Sequence, residues 1–219
     1  RLAGRVPEQK VTVVPHFVEE RGALPDRAAS RAALEVEDKR VITLLGHVIK
    51  RRGHRLVIEA LRELPEDVYA LFVGAPLRGR EYMVDQFRDY ALENGVDDRV
   101  RFMGFVPEDE LERVLAATDV ALAPYRSMSA SGALATLISA GRPIVTSDLP
   151  QFRELSAMAP GAFHSFTPYR AEALAPAIEA ALSVAADEPD PNVQALARRV
   201  STARVVDRYI GLYRTAAAA

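Results

Sequence analysis

The chain contains no cysteine. That excludes a disulfide frame, a thiolate nucleophile and any Cys-ligated metal, and it fits a cytoplasmic location. No apolar run is long enough to span a bilayer, and no signal-peptide pattern is visible. Net charge is small, −2 over 219 residues, so neither a nucleic-acid footprint nor an acidic tail is implied. The four histidines, His16, His47, His54 and His164, include no i, i+4 pair and no zinc spacing. "GAPLRG" has two glycines but no Lys-Ser/Thr after them, so there is no P-loop. No G-x-G-x-x-G follows the first strand, and no G-x-S-x-G elbow exists. Internal repeats are absent, and only the terminal alanines are low in complexity. The chain begins at Arg1 rather than at a methionine, and is therefore expected to be a fragment of a longer protein.

What is present is ordinary globular material, 49% hydrophobic and 26% charged, enough for one large α/β domain or two small ones. "KVTVVPHFV" (10–18) reads as a short strand stopped by Pro15. An alanine-rich connector with a helical turn or two follows. From about residue 40, strands and helices alternate. "RVITLLG", "DVYALFVGA", "RVRFMGFV", "DVALAPY", "PIVTSD" and "GAFHSF" are the strands, each followed by a helical pattern. Pro107, placed at N1, and the acids after it open one helix. Gly95 closes another. The strands are continuous apolar runs, as in a parallel sheet covered on both faces. The expectation is an α/β, Rossmann-like parallel sheet of about six strands with helices on both faces, plus a long C-terminal helix. Residues 1–39 are read as a first strand and connector, 40–186 as the Rossmann-like domain, and 192–219 as a single helix with Val200, Val205, Tyr209, Leu212 and Tyr213 on its apolar side.

Glycines end three strands: Gly46, Gly74 and Gly104. Ligands of open α/β sheets bind at such carboxyl ends. In "GHVIKRRG", Gly46 is followed by Arg52-Gly53 at the start of a helix. A glycine-ended strand, a loop and a cation at a helix N-terminus make a diphosphate-binding arrangement. Arg51 reads as part of an exposed basic face.

Taken in order, "VVPHFVE", "GHVIKRRG", "VRFMGFVPEDEL", "TDVALAP" and "GRPIVTS" resemble the motif series of the C-terminal, donor-binding domain of group 1 retaining glycosyltransferases with the GT-B architecture. The resemblance covers roughly residues 10–160. It implies binding of a nucleotide diphosphate-sugar, with Arg52 as the catalytic cation that neutralises the departing diphosphate. His47 stands where the family has arginine, and capping is as good a reading for it as phosphate contact. Gly46 would flank the diphosphate, and the backbone of Gly104, Phe105 and Val106 would meet the base edge, with one of Phe102 and Phe105 in the core. "SMSASGALATLISAGRP" would place the amides of Ser131, Gly132, Ala133 and Leu134, and the dipole of the helix they open, against the phosphates. Ala135 and Ser139 would let that helix pack closely on the sheet. The bland alternative for this stretch is packing alone.

One departure matters. Members of the family often carry two glutamates in an E-x7-E pattern here. Counting back from Gly141 puts Met128 and Thr136 in those positions. Thr136 falls where a ribose-binding carboxylate is expected, and Ser127, Ser129 or Ser131 would have to supply hydroxyls instead. Asp148 reads as a helix cap and Glu154 as loop packing. The resemblance further implies no metal and no cofactor, an acceptor of unknown kind, an N-terminal GT-B domain outside this chain, and no nucleic acid, and it allows a membrane-surface association of the full-length enzyme. Two rivals stay open: a nucleotide-sugar epimerase-like enzyme, whose acid and histidine groups cannot be placed, and a non-catalytic domain that kept the fold and lost the chemistry.

Overall fold

The computed structural model describes residues 11–217. Six parallel strands, β1 (Arg40–Leu45), β2 (Val68–Val73), β3 (Val100–Gly104), β4 (Val120–Ala123), β5 (Ile144–Ser147) and β6 (Phe163–Phe166), form one sheet in the order β3-β2-β1-β4-β5-β6. This is the doubly wound Rossmann order, with the direction of winding reversing between β1 and β4. Ile42 pairs with Ala70 on one side and with Val120 on the other. The four inner strands β2, β1, β4 and β5 are almost wholly buried because both faces are covered, while the edge strands β3 and β6 are half-buried. Alternate residues, such as Ile42 and Leu44 against Val41 and Leu45, enter two separate apolar cores.

One core is closed by α2 (His54–Leu61), α3 (Tyr82–Glu93) and α7 (Ala171–Val184). The other is closed by α1 (Arg27–Ala33), α4 (Glu108–Ala117), α5 (Gly132–Ala140), α6 (Pro150–Met158) and α8 (Pro191–Arg199). The helix boundaries follow local chemistry. Asp26 caps α1 by accepting from the Ala29 amide at 2.7 Å. Glu108, Asp109 and Glu110 fill the first turn of α4, where the dipole favours anions. Pro107 lies one position ahead of that helix as its N-cap, rather than at N1. Asp148 does not cap α6 as expected. Its carboxylate holds Arg153, with Arg153 Nε donating at 2.6 Å. His54, at the start of α2, is sealed between Phe72 and Phe87 with neither ring nitrogen hydrogen-bonded, and burial pushes its pKa down to about 3.

Two expectations at the chain's ends are corrected. Residues 11–18 form no strand; Val18 alone makes a bridge, to Ser201, and Lys10 lies outside the described residues. The C-terminal helix is broken into α8 and α9 (Thr202–Ala217). The break is where Val18 inserts: its amide donates to Val200 O at 2.8 Å, and its carbonyl accepts from the Thr202 amide at 3.2 Å. Backbone groups released by the kink are thus satisfied by the opening segment. Val200 and Val205 are buried, whereas Tyr209 and Tyr213 are exposed. Among the described residues, no helix is long and apolar enough to cross a membrane.

Candidate functional site

The winding reversal leaves a crevice between the loops that follow β1 and β4. Its floor is backbone. Gly46 (φ +116°), Gly74 (φ +131°) and Gly104 (φ +71°) lie side by side at the ends of β1, β2 and β3. The Gly74 amide donates to Gly104 O at 2.7 Å, and a Cβ on Gly74 would fall 2.3 Å from Gly46 O. No side chain larger than hydrogen fits at Gly74.

Arg52 sits beside that floor. A Cβ on Gly46 would meet Arg52 Cζ at 3.0 Å and the Ala133 Cβ at 3.3 Å, so the first glycine, the cation and the first turn of α5 converge. Gly53, at φ +92°, is pressed against the end of β4, where a Cβ would lie 2.4 Å from Pro124 O. Arg52 Nη1 donates to Ser131 Oγ at 3.2 Å, and its guanidinium carbon lies 4.4 Å from the Tyr125 ring centroid. Among the described residues Arg52 has no carboxylate partner. Tyr125 is fully buried, its hydroxyl has no hydrogen-bond partner, and burial pushes its pKa up, keeping the phenol neutral.

Ser131 is the N-cap of α5, and its Oγ accepts from the Leu134 amide at 3.1 Å. This corrects one expectation: the Leu134 N–H is already engaged and the Leu134 side chain is buried in the core. The helix end therefore offers the Gly132 and Ala133 amides. Gly132 is exposed, and a Cβ there would meet nothing within 4 Å. The result is a guanidinium and a helix N-terminus side by side over a glycine floor, an arrangement that attracts a diphosphate.

Other expected residues fall less centrally. His47 is exposed at the crevice mouth, with no side-chain hydrogen bond among the described residues. Phe105 is 83% exposed beside half-buried Val106, and Phe102 is the packed ring, 4.9 Å from Phe72. Thr136 is half-buried one turn along α5, its hydroxyl donating to Gly132 O at 3.2 Å. Leu134, Leu137 and Ile138 carry the packing of α5 on the sheet. Ala135 and Ser139 instead face the opening segment, where Arg21 Nε donates to Ser139 Oγ at 3.3 Å. Met128 lines an apolar cavity of about 580 Å³ with Val13, Leu134, Ile138 and Met158, and exposed Glu154 sits at its rim. Tyr125 escaped the sequence reading, although its place immediately after the strand "DVALAP" marked it as a residue facing the loop of β1.

Residues 39–184 match the family model described as glycosyl transferases group 1. A 2-deoxystreptamine glucosyltransferase of Streptomyces kanamyceticus is 31% identical over 148 residues, 66% of this chain and 36% of that protein. A D-inositol 3-phosphate glycosyltransferase of Corynebacterium efficiens is 29% identical over 128 residues, 55% of this chain and 30% of that one. Among solved structures, Anabaena HepE in complex with UDP and glucose superposes with a TM-score of 0.76 at 21% identity, over 92% of this chain and 54% of the other. Sucrose-phosphate synthase of Thermosynechococcus elongatus gives 0.75 at 18% identity, over 94% and 53%. The chain thus spans about a third of the length of these curated relatives and about half of these solved ones.

Proposed function

Since the chain belongs to the group 1 glycosyltransferases, we propose that it is the donor-binding half of an enzyme that moves a sugar from a nucleotide diphosphate-sugar to an acceptor with retention. The observation that carries this reading is the meeting of Arg52, Gly46 and the first turn of α5 at the winding reversal of the sheet. Arg52 would hold the two phosphates by charged hydrogen bonds, with the Gly132 and Ala133 amides beside it. As the bond to the sugar breaks, negative charge grows on the diphosphate. A guanidinium already oriented by Ser131 and Tyr125 stabilises that charge without reorganising. The base would lie toward Gly104, Phe105 and Val106, and the ribose toward Thr136. Complexes of HepE with UDP and with UDP-glucose support a donor of this class. The acceptor site and any N-terminal GT-B domain belong to the rest of the protein, and a cytoplasmic site of action fits a cysteine-free chain.

Calorimetric titration of the chain with UDP-, GDP- and ADP-sugars tests the reading. Binding of one nucleotide class, weakened in Arg52→Ala, is expected; no binding of any of them would sink it. Met128 and Thr136, standing where the family often has carboxylates, favour one rival, a donor fold without chemistry. Sugar transfer by the full-length protein excludes that rival, and donor binding without transfer establishes it.

A further inference from the structure

The chain carries a net charge of −2, yet five cationic side chains, Lys50, Arg51, Arg55, Arg126 and Arg170, converge on one open groove of about 660 Å³. It lies at the N-terminal ends of α2 and α7, against the flank of α3. One carboxylate, Glu59, lines it, and that group is engaged: it accepts from Arg55 Nε at 3.1 Å and from the Tyr90 hydroxyl at 2.6 Å. Arg170 reaches only Glu172, at 3.9 Å. Lys50, Arg51 and Arg126 have no carboxylate within 4.0 Å among the described residues. Among the described residues the groove therefore gathers five cations with only Arg55 and Arg170 near a carboxylate, an excess of like charge that costs stability through self-repulsion.

The cations are also held. Arg55 lies over Tyr90 at 4.1 Å and Arg126 over Tyr169 at 5.2 Å. The Tyr169 hydroxyl is anchored by donating to Pro124 O at 2.9 Å. A guanidinium laid on a ring loses rotational freedom in advance and keeps its N–H edge for an acceptor. The Arg126 amide donates to Arg51 O at 2.9 Å, locking the two loops together. Successive residues of these loops then serve different places: Arg52 and Tyr125 belong to the crevice, Arg51 and Arg126 to the groove.

We propose that this groove is a second anion site, separate from the crevice, that takes a ligand bearing a phosphomonoester. Several arginines around a single opening suit a dianion with three acceptor oxygens better than a carboxylate, which one fork saturates. Such a group can arrive on a soluble phosphate ester or on a lipid headgroup. The inference does not depend on the crevice binding a donor.

The test is an amide-shift NMR titration with inorganic phosphate of the wild-type chain, Arg52→Ala and the double variant Lys50→Ala/Arg126→Ala. All substituted groove side chains are exposed, so folding is retained, and a melt verifies it. Amides around Lys50, Arg126 and Arg170 should respond equally in wild type and Arg52→Ala. The double variant should bind at least about tenfold more weakly. Silent groove amides, an undiminished response in the double variant, or loss of the response in Arg52→Ala would each overturn the proposal. Sedimentation with phosphatidylcholine vesicles containing phosphatidic acid, or the same fraction of phosphatidylglycerol, identifies the source. Preferential retention on phosphatidic acid points to a headgroup, and no retention on either, with phosphate binding intact, to a soluble ester. Equal strong retention on both would mean diffuse charge attraction and no phosphomonoester site.

Discussion

Arg52 stands over the buried ring of Tyr125 at 4.4 Å and donates to Ser131 Oγ at 3.2 Å. A flexible cation is thereby held by a flat apolar surface below and a hydroxyl at its edge. Both neighbours come from the segment that follows β4, so the cation after one strand is oriented by the loop after another.

Arg52→Ala should weaken nucleoside-diphosphate binding by about 1.5–3 kcal/mol, the scale of a charged hydrogen bond. Arg51→Ala, removing an exposed side chain next in sequence, should cost far less in the same calorimetric assay. Arg52→Lys keeps the charge but loses the planar stack and fork, and should fall between. Equal losses from the two alanine variants would mean a diffuse basic face.

Two glycines should behave oppositely in stability and alike in binding. A Cβ on Gly132 meets open space, so Gly132→Val should shift the melting free energy by no more than about 0.5–1 kcal/mol. A Cβ on Gly46 strikes the Arg52 guanidinium at a φ of +116°, so Gly46→Ala should cost about 1–2 kcal/mol. Both should abolish diphosphate binding. A Gly132→Val protein that binds normally would remove the α5 turn from the site.

Much of this was legible in the sequence, because it is written in local chemistry. Continuous apolar runs gave the parallel sheet, and Ser131 before an alanine-rich run gave the start of α5. The parts that were not legible depend on distant partners. No Gly or Pro stands near Val200, and the Ser201-Thr202 pair after it is only a weak start signal; the break is held open by Val18, which pairs across it. Ala135 and Ser139 are as small as residues that face a sheet, and only the path of the opening segment shows that they face Arg21. Asp148 has the composition of a cap, but Arg153, five residues on, captures it.

Thr136→Glu asks whether the α5 face next to the crevice tolerates a carboxylate. Thr136 is half-buried rather than in the core, so the melting free energy should change by no more than about 1 kcal/mol. Nucleoside-diphosphate affinity should hold or rise, and any rise should vanish with a 2′,3′-dideoxy nucleotide. A gain that survives loss of both hydroxyls would place the ribose elsewhere.

His54 makes stability pH-dependent with a definite sign. Its folded pKa, about 3, lies below the ordinary value of about 6.5. Between those values the unfolded chain binds a proton that the folded chain refuses. Stability is therefore complete above about pH 6.5 and falls as pH drops toward 3, with a slope approaching 1.4 kcal/mol per pH unit. Denaturant midpoints measured from pH 7 to pH 5 should decline, and His54→Phe should flatten that decline. An unchanged slope in the variant would show that His54 is not its source.

The bonds of Val18 to Val200 and Thr202 join points up to 184 residues apart along the chain. Closing so long a loop is entropically costly until the intervening sheet has already brought its ends together. The clamp is therefore expected to form late in folding. Weakening it should speed unfolding while leaving the folding rate unchanged. The tie between the opening segment and the kinked helix pair would then act as a kinetic lock, one that sets how long the folded domain survives rather than how quickly it is reached, and unfolding and refolding rates of Val18→Pro against the wild type test it.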